Sequence, residues 1–445
     1  MPILPIDTGR YGTVEMLRIF EEKKRIQYLL DVEAALALAH AEVGNIPKRD
    51  AEIIEKMAST EYVKIERIKA IEKDIKHDIA SLVRALSEVC GLSGAYVHLG
   101  ATSYDIVDTA NALQIRDALT VIEERLAGFK VILQEKAGQY KETVMTGRTH
   151  GQHALPITLG FKFSVWGYEV NRHLKRIAEC KKRVLVGKIS GAVGSQAGLG
   201  ENAPEIQELV MKRLNLETAE ISTQIVQRDR YAELVCIYAM VASSLENFAT
   251  EIRELQRPEI AEVFESFEAT KQVGSSTMPH KQNPEICERV CGLARIVRSL
   301  VLPALEDMVT WHERDLTQSS AERFVLPESS ILLDYILKLM CDVVSNLRVD
   351  SKRMLANLSL TQGRAMSESV MMALTKKGVN RQEAHEILRQ LTIKSTVENK
   401  TFKQSLIEDS FVSSRLGAKE IEDALNPKNY LGTAVKQAEK FANST

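Results

Sequence analysis

Apolar residues recur at alternating spacings of three and four along several long stretches of the chain. The clearest set is Tyr231, Leu234, Tyr238, Val241, Leu245, Phe248, Ile252 and Leu255. This spacing places all of its members on one face of a helix and predicts a coiled-coil-like seam. Two further seams are predicted by Leu119, Ile122, Leu126, Phe129 and Leu133, and by Ile286, Val290, Leu293, Val297, Leu300 and Ala304. A helix over 231–256 would be about 38 Å long, and several such helices favour an elongated bundle.

The predicted helix over 231–256 also carries apolar side chains beside its seam. These are Val235, Ile237, Met240 and Ala242. A helix that is apolar on more than one face is buried on more than one side. Neighbouring helices of the same chain or a second subunit would supply the additional cover, and we favour a second subunit.

The distribution of the seams divides the chain into three helical segments. Residues 1–103 predict shorter helices, residues 104–352 hold the long seams, and residues 353–445 predict two amphipathic helices that flank Gly378. We therefore predict an all-α fold with an N-terminal helical domain, a central long-helix bundle and a C-terminal helical domain.

The composition supports a helical protein and excludes several classes of partner. Aromatic residues make up 5% of the 445 residues, and glycine and proline are sparse. A formal net charge of -2 gives no basic surface for nucleic acid or for an anionic membrane. No apolar run approaches the roughly 18 residues of a membrane span, and the first residues do not resemble a signal peptide. We expect a cytoplasmic protein that binds neither nucleic acid nor membrane.

The candidate metal and phosphate-loop motifs of this chain are each incomplete. Cys287 and Cys291 are four positions apart, and His150 and His153 are three apart, but no second pair with ligand spacing accompanies them. We interpret the cysteines as buried thiols and expect no metal. The glycine-rich run 191–200 lacks the Lys-Ser/Thr ending of a phosphate loop, so we interpret it as a loop that closes a helix.

The most informative polar segment is 274–284, which reads Gly-Ser-Ser-Thr-Met-Pro-His-Lys-Gln-Asn-Pro. Its prolines and glycine exclude a helix or a central strand. The hydroxyls of Ser275 and Ser276, the ammonium of Lys281 and the amide of Asn283 suit an anion, next to the positive end of the following helix. The residues alone do not decide between the two serines as a reactive group, and they favour a histidine as a general base.

This serine loop resembles the signature of the fumarase/aspartase superfamily, whose members eliminate fumarate from succinyl compounds. Other stretches are most similar to the adenylosuccinate lyase family. They are Arg10-Tyr11, Lys76-His77-Asp78, HLGATSYDIVD at 98–108, GRTHGQHALP at 147–156, TQIVQRDRY at 223–231 and WHERDLTQSSAER at 311–323. The last two stretches indicate the subfamily.

The resemblance implies a role for each matched residue. Ser275 matches the base that removes a proton beside a carboxylate, and His150 matches the acid that protonates the departing nitrogen. His150 is expected on a loop or a helix entry, and Glu288 matches the carboxylate that pairs with it. The substrate-binding residues implied by the resemblance are Arg10, Tyr11, Lys76, His77, Asp78, His98, Thr102, Ser103, Gln224, Ser276, Lys281, Asn283, Arg314, Ser319 and Arg323. Gln282 departs from the arginine that many members carry, which removes one positive charge beside the site.

The resemblance also implies the reaction and the assembly. The substrates would be adenylosuccinate, cleaved to AMP and fumarate, and the succinyl-carboxamide ribotide of purine synthesis. No cofactor is expected, since acid–base groups suffice, and a homotetramer with shared active sites is implied. The alternatives are argininosuccinate lyase, carboxymuconate cycloisomerase, or a non-catalytic helical oligomer related to lens crystallins.

Overall fold

The computed structural model describes residues 3–267, 274, 276–278 and 280–444. Helices predominate in these ranges, so the predicted helical fold is confirmed. No helix in the described ranges is long and apolar enough to cross a membrane.

The elements are numbered here in chain order. The α-helices are α1 (Val14–Phe20), α2 (Glu22–Glu42), α3 (Lys48–Met57), α4 (Ile65–Ile75), α5 (Asp78–Cys90), α6 (Ser103–Gln139), α7 (Leu159–Val184), α8 (Ala203–Leu214), α9 (Asp229–Gln256), α10 (Glu285–Ser299), α11 (Val301–Glu306), α12 (Thr317–Ser345), α13 (Ser351–Ser359), α14 (Ser367–Lys376), α15 (Arg381–Val397), α16 (Phe402–Glu408), α17 (Ser410–Ser413), α18 (Ala418–Leu425) and α19 (Ala434–Ala442). Short 3₁₀ helices lie at Gly91–Tyr96, Ala197–Leu199, Arg364–Met366 and Pro427–Tyr430. The strands are β1 (Val144–Thr149), β2 (Gln152–Thr158), β3 (Val186–Gly187), β4 (Glu217–Thr218), β5 (Val263–Phe264) and β6 (Arg348–Val349).

The long helices follow the predicted seams closely. The seam that begins at Tyr231 lies within α9, and the seam that begins at Leu119 lies within α6. The third seam is interrupted, because α10 ends at Ser299 and α11 begins at Val301. Pro303, in the first turns of α11, cannot donate a backbone hydrogen bond, which favours a new helix at this point.

The chain forms two compact units. The first consists of residues 1–127, 172–246 and 291–338, and the second of residues 128–171, 247–290 and 339–445. The division falls within the long helices, so each unit draws on several separated parts of the sequence. The three domains inferred from the sequence remain a prediction.

Each unit has its own apolar core. In the first unit, Leu30 and Leu36 of α2 pack with Leu86 of α5, and all three are at most 1% exposed. In the second, Trp166 of α7 stacks on Phe248 of α9 with ring centroids 4.8 Å apart. Removing a buried side chain of this size typically costs about 2–5 kcal/mol, so these contacts hold the helices firmly in place.

The sheets are small, and the hairpin formed by β1 and β2 was not predicted from the sequence. The two strands pair antiparallel, with Thr149 opposite Gln152. His150 and Gly151 form the turn with φ of 54° and 72°, the positive values that two-residue hairpin turns favour. The expectation of a loop around His150 is therefore confirmed, while the flanking residues are strand.

Candidate active site

A cavity of about 480 Å³ in the first unit collects many of the predicted binding residues. The predicted residues that line it are Lys76, His77, Asp78, Ser103, Arg314, Ser319 and Arg323. They come from the α4–α5 junction, the start of α6 and the start of α12. Arg323 donates to the Asp78 carboxylate at 2.7 Å, although the two residues are 245 positions apart in the chain.

The α4–α5 junction exposes consecutive polar side chains at the cavity. Lys76 ends α4 in the left-handed conformation, with φ of 57°, and its N–H donates to the carbonyl of Glu72. His77 precedes α5, and its Nδ1 accepts a hydrogen bond from the backbone N–H of Ala80 at 3.3 Å. The ring of His77 therefore caps the helix, and its Nε2 remains for a ligand.

The start of α6 is held by a buried charge pair. Asp105 accepts a hydrogen bond from the backbone N–H of Thr102 at 2.8 Å, and its other carboxylate oxygen contacts the Lys188 ammonium at 2.5 Å. Both charged side chains are fully buried. Thr102 does not line the cavity, but its backbone orients Ser103, which does.

Arg314 is held by contacts on several sides. Its guanidinium carbon lies 3.6 Å from the centroid of the Tyr104 ring. Its Nη1 donates to Oε1 of Gln224 at 2.7 Å, and the amide of Gln224 donates in turn to the carbonyl of Ala192 at 2.6 Å. The structure thus places Gln224 outside the cavity wall, where it orients Arg314.

A second buried charge cluster lies behind the cavity wall. Arg228 donates to both oxygens of Asp108, at 2.9 and 2.8 Å, and also to the carboxylate of Glu322. Burial raises the pKa of Glu322 to about 7, although Arg228 acts in the opposite direction. The TQIVQRDRY stretch therefore ties α6 and α12 together through Arg228.

The cavity includes side chains that the sequence analysis did not identify. These are, among others, Arg25, Tyr104, Asn111 and Gln114. Burial lowers the pKa of Arg25, and the positive charge of Arg323 lowers it further. Within the described residues its guanidinium has no hydrogen-bond partner. Lys23 and Lys24 precede Arg25, so the sequence alone does not distinguish it from a solvated basic run.

Other predicted binding residues of the first unit lie away from the cavity lining. His98, with φ of 62°, contacts the buried Glu33 carboxylate at 2.7 Å. Burial alone would lower the pKa of His98, but the charge and hydrogen bond of Glu33 raise it above its ordinary value. Tyr11 packs on Tyr335 with ring centroids 5.8 Å apart, and Arg10 lies over the Tyr11 ring.

The serine loop belongs to the second unit, and Ser275 lies outside the described residues. Nδ2 of Asn283 donates to the carbonyl of Gly274 at 3.0 Å, so this amide closes the loop on itself. A Cβ at Gly274 would lie 2.1 Å from the carbonyl of Lys281, so only glycine fits there. The side chains of Ser276 and Lys281 are exposed.

Although residue 282 is a glutamine, a neighbouring cation contacts the loop at this position. Nη2 of Arg348 donates to Oε1 of Gln282 at 3.0 Å. The charge that is missing from position 282 is therefore partly replaced by a guanidinium from β6. The base of the loop is fixed by Glu265, whose carboxylate accepts from the backbone N–H groups of Ile286 and Cys287 at 3.2 and 2.6 Å.

The hairpin that carries His150 is fixed by an ion pair at its base. Arg148 donates to both oxygens of the buried Glu262, at 2.6 and 3.0 Å. His150 is exposed at the tip, and Glu288 is exposed on α10. Within the described residues, neither side chain has a hydrogen-bond partner, so their pairing remains a prediction.

Similarity to known proteins decides the family of this chain. Residues 9–298 match the lyase family model, and residues 363–441 match the model of the adenylosuccinate lyase C-terminus. The adenylosuccinate lyase of Pyrococcus horikoshii is 52% identical over 434 residues, which cover 98% of this chain and 96% of the relative. The chain belongs to the adenylosuccinate lyase family. It is a lyase, and the predicted resemblance is confirmed.

Solved structures show the same fold in other members of the superfamily. A fumarate lyase from Mesorhizobium sp. BNC1 has a TM-score of 0.91 at 33% identity and covers 100% of both chains. A 3-carboxy-cis,cis-muconate lactonizing enzyme from Pseudomonas putida has a TM-score of 0.90 at 33% identity and covers 99% of this chain and 98% of its own. The fold therefore does not separate adenylosuccinate lyases from muconate enzymes, whereas the higher sequence identity and the C-terminal match do.

Proposed function

We propose that the protein cleaves adenylosuccinate to AMP and fumarate. We propose that it also cleaves succinyl-aminoimidazole-carboxamide ribotide to the carboxamide ribotide and fumarate. The observation that carries the proposal is the cavity of the first unit, where Arg25, Lys76, Arg314 and Arg323 lie with Ser319 in a chain of this family. Since both substrates are charged nucleotides that do not cross a bilayer unaided, the proposal places the reaction in the cytoplasm.

The cavity has the chemistry of a phosphate site. Guanidinium groups bind phosphate oxygens through paired N–H donors, and the Arg25 guanidinium has no partner within the described chain. Nε of Arg314 is also buried without a partner there. A phosphate group would satisfy these donors and offset the repulsion between Arg25 and Arg323. The carboxylates of Asp78 and Glu322 limit the net positive charge and favour a ligand with further polar groups.

We propose that Ser275 removes the proton beside the succinyl carboxylate and that His150 protonates the departing nitrogen, with Glu288 orienting the histidine. The carbanion formed in the first step requires fixed positive potential. The exposed ammonium of Lys281 and the guanidinium of Arg348, which contacts Gln282 of the same loop, support this role. His150 is exposed at the tip of the hairpin, where its ring is accessible to a substrate.

We propose further that the protein is a homotetramer whose active sites combine residues from different subunits. Large apolar side chains are exposed on α11 and after it, including Leu302 at 63%, Val309 at 74% and Trp311 at 77%. Such a patch is typical of a protein interface, and a second copy would cover it. His150 and Glu288 are also exposed and have no hydrogen-bond partner among the described residues, which suits completion by another subunit.

Subunit mixing tests the shared site. His150→Gln and Ser275→Ala proteins are each expected to be inactive, and they are mixed, dissociated and reassociated. If the two residues of one site come from different chains, about one quarter of the sites should be intact after random equal mixing. No recovery of activity, with mixed tetramers confirmed on native gels, would show that both residues act within one chain.

A spectrophotometric substrate panel tests the reaction. The purified protein is assayed with the two succinyl nucleotides, argininosuccinate and carboxymuconate. We expect turnover of both nucleotides and none of the other compounds. Preferred turnover of argininosuccinate or carboxymuconate would assign the chain to a different reaction, and no turnover of any compound would favour a non-catalytic oligomer.

A further inference from the structure

Tyr104 occupies a central position in the wall of the cavity. It is the second residue of α6, directly after Ser103, and it is only 7% exposed. Its side chain nevertheless lines the cavity. A tyrosine in this position presents an aromatic face and a hydroxyl group to its neighbours, and both are engaged here.

The ring of Tyr104 supports one cationic residue of the cavity. The guanidinium carbon of Arg314 lies 3.6 Å from the ring centroid, a distance typical of close cation–π stacking. The buried Arg228 lies farther away, at 5.9 Å from the same centroid. Stacking leaves the N–H groups at the edge of the Arg314 guanidinium available for hydrogen bonds.

The hydroxyl of Tyr104 holds a second polar residue. It shares a hydrogen bond with the hydroxyl of Ser319, in the first turn of α12. Nη2 of Arg314 also lies 3.5 Å from the Ser319 oxygen, and its Nη1 is bonded to Gln224. Tyr104 therefore connects two side chains that are five positions apart and belong to different local structures.

The remaining donors of Arg314 indicate what the arrangement binds. Its Nε is buried and has no hydrogen-bond partner within the described residues. The Nε and Nη2 edge of a guanidinium presents two parallel donors to a tetrahedral oxyanion. Such an edge, fixed next to the Ser319 hydroxyl, suits the oxygens of a phosphate monoester.

We propose that Tyr104 is a positioning residue that fixes Arg314 and Ser319 for the phosphate group of the nucleotide. The inference rests on the proposed function, which supplies the nucleotide. Tyr104 acts in binding, because its ring and its hydroxyl contact Arg314 and Ser319, which are both binding residues of the cavity. Its loss should therefore weaken binding of the phosphate and leave the catalytic groups in place.

Two variants and one control separate the contribution of the Tyr104 ring from that of the Tyr104 hydroxyl. Tyr104→Phe keeps the ring under Arg314 and removes the hydrogen bond to Ser319, while Tyr104→Leu removes both contacts. Tyr28→Phe is the matched control, because the hydroxyl of Tyr28 donates to Asp117 at 2.6 Å and this residue does not line the cavity. Thermal midpoints are recorded for all three proteins.

Affinities for AMP and for adenosine, measured by titration calorimetry, report on the phosphate separately from the rest of the ligand. Tyr104→Phe should weaken AMP binding about 3- to 10-fold, and Tyr104→Leu about 10- to 30-fold. Adenosine affinity should change less than about twofold, and KM should rise more than kcat falls. The control should bind AMP as the wild type does.

The outcomes distinguish this inference from the proposed function. Equal weakening of AMP and adenosine in Tyr104→Phe, or unchanged AMP affinity, would overturn the positioning role while wild-type turnover of adenylosuccinate still upheld the function. If the wild type neither binds AMP nor cleaves adenylosuccinate, the proposed function is wrong and the inference falls with it. Tyr104→Phe removes a single oxygen and is expected to fold, so its AMP and adenosine affinities test the positioning role even if Tyr104→Leu does not fold.

Discussion

Replacing Lys188 with methionine should destabilise the first unit and weaken substrate binding. Lys188 is fully buried, and its ammonium contacts the Asp105 carboxylate at 2.5 Å and the Ser190 hydroxyl at 2.9 Å. Methionine has a similar length and no charge. The substitution therefore preserves the packing volume and leaves the Asp105 carboxylate buried without its counterion.

The structure allows the size of this effect to be estimated. Removing one partner of a buried ion pair costs about 3–5 kcal/mol, because the other charge stays desolvated. Asp105 keeps hydrogen bonds from the backbone N–H groups of Thr102, Ser190 and Gly191, at 2.8, 2.8 and 3.1 Å. These donors stabilise the carboxylate, so we expect the lower end, about 3 kcal/mol. The same donors position the start of α6, so KM should rise as well.

Urea unfolding of the purified variants measures the loss, with Lys181→Met as the matched control. The Lys181 ammonium lies 2.6 Å from the Glu123 carboxylate, but these side chains are 32% and 25% exposed. Water replaces the lost partner there, and the control should lose less than about 1 kcal/mol. A Lys188→Met midpoint no lower than that of Lys181→Met would refute the reasoning that the buried pair anchors this region.

Four further substitutions test residues of the site. Arg25→Gln should raise KM about tenfold with little change in kcat and no loss of thermal stability, because it removes a half-buried cation that has no hydrogen-bond partner in the described part of the chain. An unchanged KM in steady-state kinetics would contradict this. Folding raises the pKa of Glu322 from 4.5 to about 7, so the folded protein binds this proton more tightly and stability falls as pH rises through that window. Glu322→Gln should remove this contribution, and thermal midpoints at about pH 5 and pH 8 that differ as much as in the wild type would exclude it. Ser275→Ala should abolish turnover while AMP still binds, and a variant that keeps more than a few per cent of the wild-type kcat would exclude Ser275 as the base. His150→Gln should abolish turnover without lowering the thermal midpoint, and a variant that melts earlier than the wild type would indicate a structural role for His150.

The long helices were predictable because the spacing of the apolar residues by itself defines the face of each helix that is buried. The seam that begins at Tyr231 needs no knowledge of its neighbours, since any helix with that spacing has one apolar face. The β1–β2 hairpin was not predictable in the same way. Strand β1 is buried at its first four positions out of six, so it lacks the alternation of a half-exposed strand. Its glycine and threonine residues also resemble a loop.

The sequence allowed the separate polar segments of the candidate site to be predicted, but not which of their side chains meet in one cavity. Arg25 and Tyr104 acquire their significance from Arg323, Arg314 and Ser319, which are distant in the sequence, so no local pattern marks them.

The role of the glycine-rich run 191–200 could not be predicted from the sequence either. Its glycines permit close backbone contacts: a Cβ at Gly194 would lie 2.2 Å from the carbonyl oxygen of Ser222, and one at Gly198 would lie 3.3 Å from the carbonyl oxygen of Gly100. These contacts hold the segments next to Thr102 and Gln224, a role that only the folded chain reveals.

The measurement that tests the central claim most directly is the product balance on adenylosuccinate. Purified protein is incubated with the substrate, and AMP and fumarate are quantified by chromatography as the substrate disappears. We predict that one AMP and one fumarate form for each adenylosuccinate consumed, and that the Ser275→Ala protein forms neither. Persistence of adenylosuccinate with the folded wild-type protein, or its consumption without fumarate, would contradict the assignment.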